Sequence, residues 1–290
     1  MNSYLILPHM QIQNANAHSS PYTIGFPAVT AWLGAMHALE RKLNAIEEFK
    51  DVSFSGVGIV SHSLIMRSLG KGRNSISRLI GMGFPSDKNG NRAPFLEEAK
   101  CNLEISLIVE FQGFTPETVA EFIESTQSII LGGLRMASGD VLSMKRPLIV
   151  TGEGKDALDQ VKRHVMPGYV LLERRELMID AMKEGIDAMD ALLSFLEIRH
   201  TCSDSEPFCW EVGKRSLGWI VPISVGYQQI SPMFQSSQQR DFSVPHLFAE
   251  SVITLGEFVM PYRLSSVEES LWRYSYEENN GLYLCKNGNV

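Results

Sequence analysis

One run of residues constrains this chain more than any other. In NLEISLIVEF (Asn102–Phe111), Leu103, Ile105, Leu107, Val109 and Phe111 alternate with Glu104, Ser106 and Glu110. A period of two sends successive side chains to opposite faces. The run therefore reads as a β-strand with one face buried and the other wet.

The segments around it set the fold class. Residues 3–7 (SYLIL) read as a buried strand that bends at Pro8 and continues through Met10 and Ile12. Pro27 suits a first helical turn, where its missing N–H is not needed. From there Val29, Trp32, Leu33, Met36, Leu39, Leu43 and Ile46 recur at steps of three and four, with Glu40, Arg41, Lys42, Glu47 and Glu48 on the other side. FSGVGIVSH gives a second strand, in which glycines Gly56 and Gly58 mark a bulge or a close backbone approach. After the alternating run, Thr115 caps a helix with Pro116 first and Val119, Phe122, Ile123 and Ile130 inward. A last strand falls near Leu148–Val150. Strand, helix, strand, strand, helix, strand is the order of a ferredoxin-like domain, so the class is α+β. The topology resembles an RNA-recognition module, without the aromatic-rich motif of the ordinary single-strand reader.

Between the second and third strands, Leu64–Lys100 is rich in glycine, asparagine and serine. Within its stretch RSLGKGRNSISRLIGMGFPSDKNGNRAP, Arg67, Lys71, Arg73, Arg78, Lys88 and Arg92 face only Asp87 as counter-charge. The segment is too long for a tight turn and reads as a projecting β-hairpin, a thumb inserted in the domain. Residues 1–150 thus form a ferredoxin-like unit with an insertion at about 64–100, and 151–290 a C-terminal α/β part. In that part PGYVLLERREL reads as strand into helix. Met178, Met182, Ile186, Met189, Leu193 and Leu196 make one long stripe, either core or an adaptable partner-binding face. WIVPISVGYQQISPMF reads as strand and turn, FQSSQQRDFS as a surface loop, and HLFAESVITLGEFVMPYRLSSVEESLWRY as two helices interrupted at Pro261.

Composition narrows the function. The net charge of −7 over 290 residues excludes a general nucleic-acid coat, which draws its affinity from many phosphate contacts. Any nucleic acid must be gripped by a local patch, by base contacts or with a partner's help. No apolar run is long enough to span a bilayer, and no signal-peptide pattern opens the chain, so a cytoplasmic location is expected. Cys101, Cys202, Cys209 and Cys285 are scattered, which points to neither disulfides nor a zinc site. No cofactor or metal is called for. TGEGK (Thr151–Lys155) lacks the leading glycine and trailing hydroxyl residue of a phosphate loop.

The candidate site is the polar segment between the first strand and the first helix. Gln13, Asn14, Asn16, His18, Ser19 and Ser20 crowd together with no acidic residue among them. Such side chains either satisfy their own turn or meet a ligand's polar edge. In a ferredoxin-like fold this segment lies at the same edge as the turn Gly132–Asp140, which carries Arg135, Ser138 and Gly139. Amides read unpaired base edges, and an arginine meets phosphate or stacks on a base. Arg67, Lys71, Arg73 and Arg78 add a second basic surface. Two other readings stay open: an endoribonuclease using His37 as general base with Tyr22 or a lysine, or a scaffold binding only protein through Met178–Leu196.

QNANAHSSPYTIGFP with the AVTAWLGAMHALERKL helix resembles the second subunit of type I-F CRISPR (Csy) surveillance complexes, a Cas-five-like family of the RAMP superfamily. The likeness continues in GVGIVSH, LRMASGDVL, MPGYVLLERREL, GWIVPISVGYQQISP, LGEFVMPYR and GLY, in that order, and so covers essentially the whole chain. It departs in the thumb and is abbreviated near Ser203–Pro207. The resemblance implies a non-catalytic subunit holding the 5′ handle of a CRISPR RNA, paired with the large subunit at the tail of the complex. Its thumb would meet the first backbone subunit. Target DNA would then be read by base pairing within the assembled complex.

Overall fold

The computed structural model describes residues 2–69, 76–77, 79–82, 90–91, 96–113, 116–202, 209–235 and 241–288. The chain runs β1 (Asn2–Asn16), β2 (His18–Ser20), β3 (Thr23–Ile24), α1 (Val29–Leu43), β4 (Ser53–Met66), β5 (Ser68–Leu69), β6 (Ile76–Ser77) and β7 (Leu79–Met82). It continues through β8 (Leu96–Gln112), α2 (Val119–Leu131), β9 (Arg135–Met136), β10 (Gly139–Ser143), β11 (Leu148–Gly152), α3 (Gly154–Val165) and β12 (Tyr169–Glu173). Then come α4 (Arg175–Lys183), α5 (Ala188–Leu196), β13 (Arg199–Cys202), β14 (Trp210–Gly213), β15 (Ile220–Gln229), β16 (Ala249–Val259), β17 (Leu271–Glu277) and β18 (Leu282–Asn287).

The class is α+β, built on one large antiparallel sheet. Its strands follow the order β12-β16-β15-β18-β17-β4-β8-β1-β10-β9, with β11 also on β1 and β7 on β8. The alternating run sits in the middle as β8, paired with β1 on one side and β4 on the other. Both periodicities read from the sequence are found here. α1 and α2 lie on one face, burying Trp32, Met36, Leu39 and Phe122 against Leu5, Leu103, Ile105 and Leu107. α1 starts at Val29, two residues after Pro27, with Ala28 as its N-cap. In the insertion, β5 pairs with β6 and β7 with the start of β8, so hairpins form there.

Three expectations are corrected. The second face of β8 is not wet: Ile108 is buried where α3 lays Ala157, Leu158, Val161 and Val165 over Tyr4 and Ile6, and Ser106 is buried in contact with His9 and His62. The stretch read as two helices around Pro261 is strands β16 and β17, with short 3₁₀ turns at Pro261–Arg263 and Glu268–Ser270 between them. β16 buries Thr254 through Val259 without alternation, and a strand covered on both faces shows a continuous run that periodicity cannot tell from a helix. The methionine stripe is likewise split. Gly185, in the left-handed region at φ +91°, turns the chain between α4 and α5. Met178, Ala191, Leu192 and Phe195 go into a small core with Leu255, while Met182, Met189 and Leu193 stay exposed.

Strand β1 bends where Pro8 predicts. The register with β8 shifts between Leu7 and Met10, and His9 takes φ +51°. Its N–H donates to Ser106 Oγ (2.9 Å), its ring stacks on His62 at 4.2 Å, and its Nδ1 meets Glu104 at 2.7 Å. His62 Nδ1 must donate to the Pro167 carbonyl (2.6 Å), so Nε2 of the neutral ring accepts from Ser106 Oγ (2.6 Å). Burial holds His62 below the ordinary histidine range, and the His9 contact holds Glu104 below the ordinary carboxylate range. Both depressed groups stabilise the fold fully above their unfolded values and lose that contribution as pH falls. Thermal unfolding should therefore show a falling midpoint as pH drops through about 6.5 and again through about 4.3. His62→Gln should flatten the first step. A midpoint insensitive to pH between about 7.5 and about 5.5 would remove His62 from this role.

Candidate nucleic-acid interface

The polar segment is not an open loop: Gln13, Asn14 and Asn16 belong to the end of β1, and His18, Ser19 and Ser20 form β2. Asn16 Oδ1 accepts from the His18 N–H (3.0 Å) while its Nδ2 donates to the His18 carbonyl (3.1 Å). β2 and β3 close a small hairpin, inside which Thr23 Oγ1 bonds Ser19 Oγ (2.8 Å) and Ser20 Oγ (2.6 Å). Asn14 takes φ +60°, its N–H donating to Asn102 Oδ1 (3.1 Å). Its own Oδ1 is buried without a partner among the described residues. The bonds of Asn16, Ser19 and Ser20 are the local ones that short polar side chains make in turns.

The second segment comes to the same place. β9 and β10 form a two-residue hairpin whose tip, Ala137 and Ser138, has φ +47° and +66°, the left-handed pair that such turns require. The Asn16 N–H donates to the Ala137 carbonyl at 2.7 Å, which ties the tip to the end of β1. Gly139 is dictated by that approach: a Cβ there would lie 2.7–2.9 Å from Ile12 Cγ2, the Gln13 carbonyl and the Ala15 nitrogen. The convergence expected between the two segments is present in the fold.

Together they open a cleft of about 720 Å³. Asn16, His18, Ser19, Ser20 and Ser138 line it, while Gln13, Asn14, Arg135 and Gly139 do not. Gln13 is exposed on β1 opposite Asp140, and Arg135 forms an exposed ion pair with Asp140 at 3.4 Å. A pair that open contributes little to stability. Arg67 is half-buried at the neck of the insertion, its N–H on the Lys100 carbonyl (3.0 Å). Lys71, Arg73 and Arg78 lie outside the described residues. His37 is exposed on α1 in a shallow depression with Glu40, Ser55, Arg273 and Tyr274, and Tyr22 is not among the residues lining it.

Sequence reading missed the far wall of the cleft. Tyr227 (β15), Tyr274 (β17) and Tyr283 (β18) line it together with Ser251. Their signal was the period of two in LWRYSYE, where Trp272, Tyr274 and Tyr276 alternate with Arg273, Ser275 and Glu277. Burial is the first cause raising the Tyr274 and Tyr283 phenols above the ordinary tyrosine range, so both stay neutral and bond as hydroxyls. Among the described residues, the cleft is lined by hydroxyl, amide, imidazole and phenol groups, with no Lys, Arg, Asp or Glu. Cys101 and Cys285 are buried, their thiols pushed up to about 11 and about 12 by that burial. Among the described residues, no three His, Cys, Asp or Glu side chains gather to hold a metal, and no helix is long and apolar enough to cross a membrane.

The profile of the family described as CRISPR-associated protein (Cas_Csy2) matches residues 5–285. The chain belongs to the Csy2 family of the type I-F CRISPR systems. It is also 30% identical to the CRISPR-associated protein Csy2 of Pseudomonas aeruginosa strain UCBPP-PA14, over 313 aligned positions covering 96% of this chain and 93% of that protein. The matched span takes in both walls of the cleft, from Asn16 to Tyr283.

Proposed function

We propose that this chain is the subunit of a type I-F Csy complex that holds the 5′ handle of the CRISPR RNA, without chemistry of its own. One observation carries the reading. The turn at the end of β1 and the β9–β10 tip meet in a cleft whose described lining carries no Lys, Arg, Asp or Glu, in a chain of this family. The strand order β4-β8-β1-β10, with α1 and α2 on one face, supports a ferredoxin-like, RAMP-type core in residues 1–150. Residues 151–290 complete the sheet and present exposed Ile179, Met182, Met189 and Leu193, an adaptable apolar surface for the large Csy subunit. The insertion serves contact with the first backbone subunit, and its basic residues serve the guide. Target DNA reaches the protein only through the assembled complex, in the cytoplasm, where base pairing supplies the specificity.

The test replaces cleft groups that do not build the turn. Asn16 is spared, because its amide holds the backbone around His18. Complexes carrying His18→Ala and Ser138→Ala together should hold guide RNA about tenfold more weakly, the loss of two hydrogen bonds of about 0.5–1.5 kcal/mol each. Their thermal midpoint should stay near that of the parent. Unchanged guide affinity, or a parent chain that copurifies with its partners and no RNA, would sink the assignment.

A further inference from the structure

Three neighbouring strands of the second half carry tyrosines on one face. Tyr227 on β15 lies directly opposite Tyr283 on β18, and Tyr283 lies directly opposite Tyr276 on β17. Tyr274, two residues along β17, sits diagonal to Tyr283 with ring centroids 5.3 Å apart and planes tilted by 31°. Opposed and diagonal neighbours on a sheet face are within reach of each other's rings. These rings are not core. Tyr227 is 45% exposed, Tyr274 43%, Tyr276 59% and Tyr283 40%. Aromatics of this size normally bury most of their area, so a row of half-open ones on adjacent strands leaves π-faces presented outward.

The surroundings specify what suits those faces. Across the cleft stand the hydroxyls of Ser19, Thr30 and Ser138, while Ser251 sits beside Tyr227 on the tyrosine wall. Among the described residues, no Lys or Arg lines the cleft to meet a phosphate, and no carboxylate lines it to meet an ammonium or guanidinium. A set of hydroxyl and amide donors and acceptors facing aromatic rings matches the nucleoside part of a nucleotide. The base stacks, and its edge or the ribose hydroxyls bond. Sheet aromatics that stack two or three bases are an established mode of single-stranded RNA recognition, and stacking works with any base because each has a π-face. An acidic chain gains by this route, since stacking asks for no phosphate contact.

We propose that the tyrosine face of β15, β18 and β17 is a stacking platform for unpaired bases of the guide RNA, with the cleft hydroxyls meeting the same nucleotides. This rests on the handle-binding reading above and adds the residues and the ligand atoms. Strand pairing brings Tyr227 and Tyr283 together, and the turn of β2 supplies the opposing wall.

The experiment assembles the Csy complex on guide RNAs carrying 2-aminopurine at single positions of the 5′ segment and reads its fluorescence. Stacked 2-aminopurine is quenched. One position, or two adjacent ones, should be quenched in the parent complex and recover when Tyr274→Leu and Tyr283→Leu are combined, with guide retention weaker by about tenfold. Tyr274→Phe with Tyr283→Phe, which keeps both rings, should preserve the quenching. A complex that retains guide RNA, yet shows the same fluorescence in parent and leucine variant at every position, overturns the platform and leaves handle binding standing. A leucine variant that loses a partner subunit while keeping its RNA makes the face a protein interface and overturns it too. A parent complex that forms without RNA overturns the underlying reading. If the leucine variant fails to fold, quenching in the parent and its survival in the phenylalanine pair still decide the matter.

Discussion

Trp272→Ala should cost about 3–5 kcal/mol, the range for truncating a fully buried aromatic. Trp272 is fully buried at the seam between the two halves of the sheet. Its backbone pairs with Val57 on β4 and with Asn287 on β18, and its indole N–H donates to the Leu171 carbonyl of β12 at 3.0 Å. Truncation would leave a cavity in the main core and an unpaired buried carbonyl, both at the place where the C-terminal strands join β4. Because a domain is stable by only about 5–15 kcal/mol, the variant should populate unfolded chain at physiological temperature. Trp272→Phe separates the two causes: it keeps most of the packing and orphans Leu171, a loss of about 1–3 kcal/mol. Urea unfolding of the three proteins checks this. A Trp272→Ala variant within about 1 kcal/mol of the parent would falsify the account of the seam.

Gly226→Ala should be as damaging, for a different reason. The pairing of β15 with β16 shifts register between Ser224 and Gly226, and the chain then passes so close to β18 that a Cβ at Gly226 would lie 2.1 Å from the Tyr283 carbonyl oxygen. It would also lie 2.9 Å from Leu284 Cα. Both obstacles are backbone, so no side-chain rotation relieves them, and the two strands must part. The expected loss is about 3 kcal/mol or more, at the upper end of overpacking penalties. Gly226 pairs with Leu284 next to the Tyr227–Tyr283 pair, so parting the strands also spreads the tyrosine face. Whatever folded protein remains should retain less guide RNA. Wild-type stability would mean that the strands can shift without loss, contrary to this geometry.

What the sequence disclosed follows from which elements carry a readable period. β8 and α1 were legible because one face of each meets the main core and their apolar residues repeat at two and at three to four. The bend at Pro8 and the strand β11 were legible for local reasons, an imino acid and a short apolar run. β16 was not, because burial on both faces erased its alternation. The break between α4 and α5 was marked by Gly185, but a continuous set of methionines and leucines masked it. At the cleft, the near wall was legible because its amides and hydroxyls are close in sequence. The far wall was not, since Tyr227, Tyr274 and Tyr283 become neighbours only through the strand order β15-β18-β17. Of the polar residues singled out, Asn16 and Ser20 hold their own turn, which composition alone could not separate from ligand contact.

The order of that sheet also bears on when the protein becomes competent during its synthesis. β1 and the turn of β2 leave the ribosome well before the strands that sit on the open side of β4. Until β12 and β17 arrive, β4 has a bare edge, a template for mispairing that a nascent chain has reason to keep covered. The two walls of the cleft are made far apart in translation, so a growing chain first holds only one of them. A complete cleft thus exists only once the chain has reached β18, and one stopped before β15 lacks the tyrosine wall altogether.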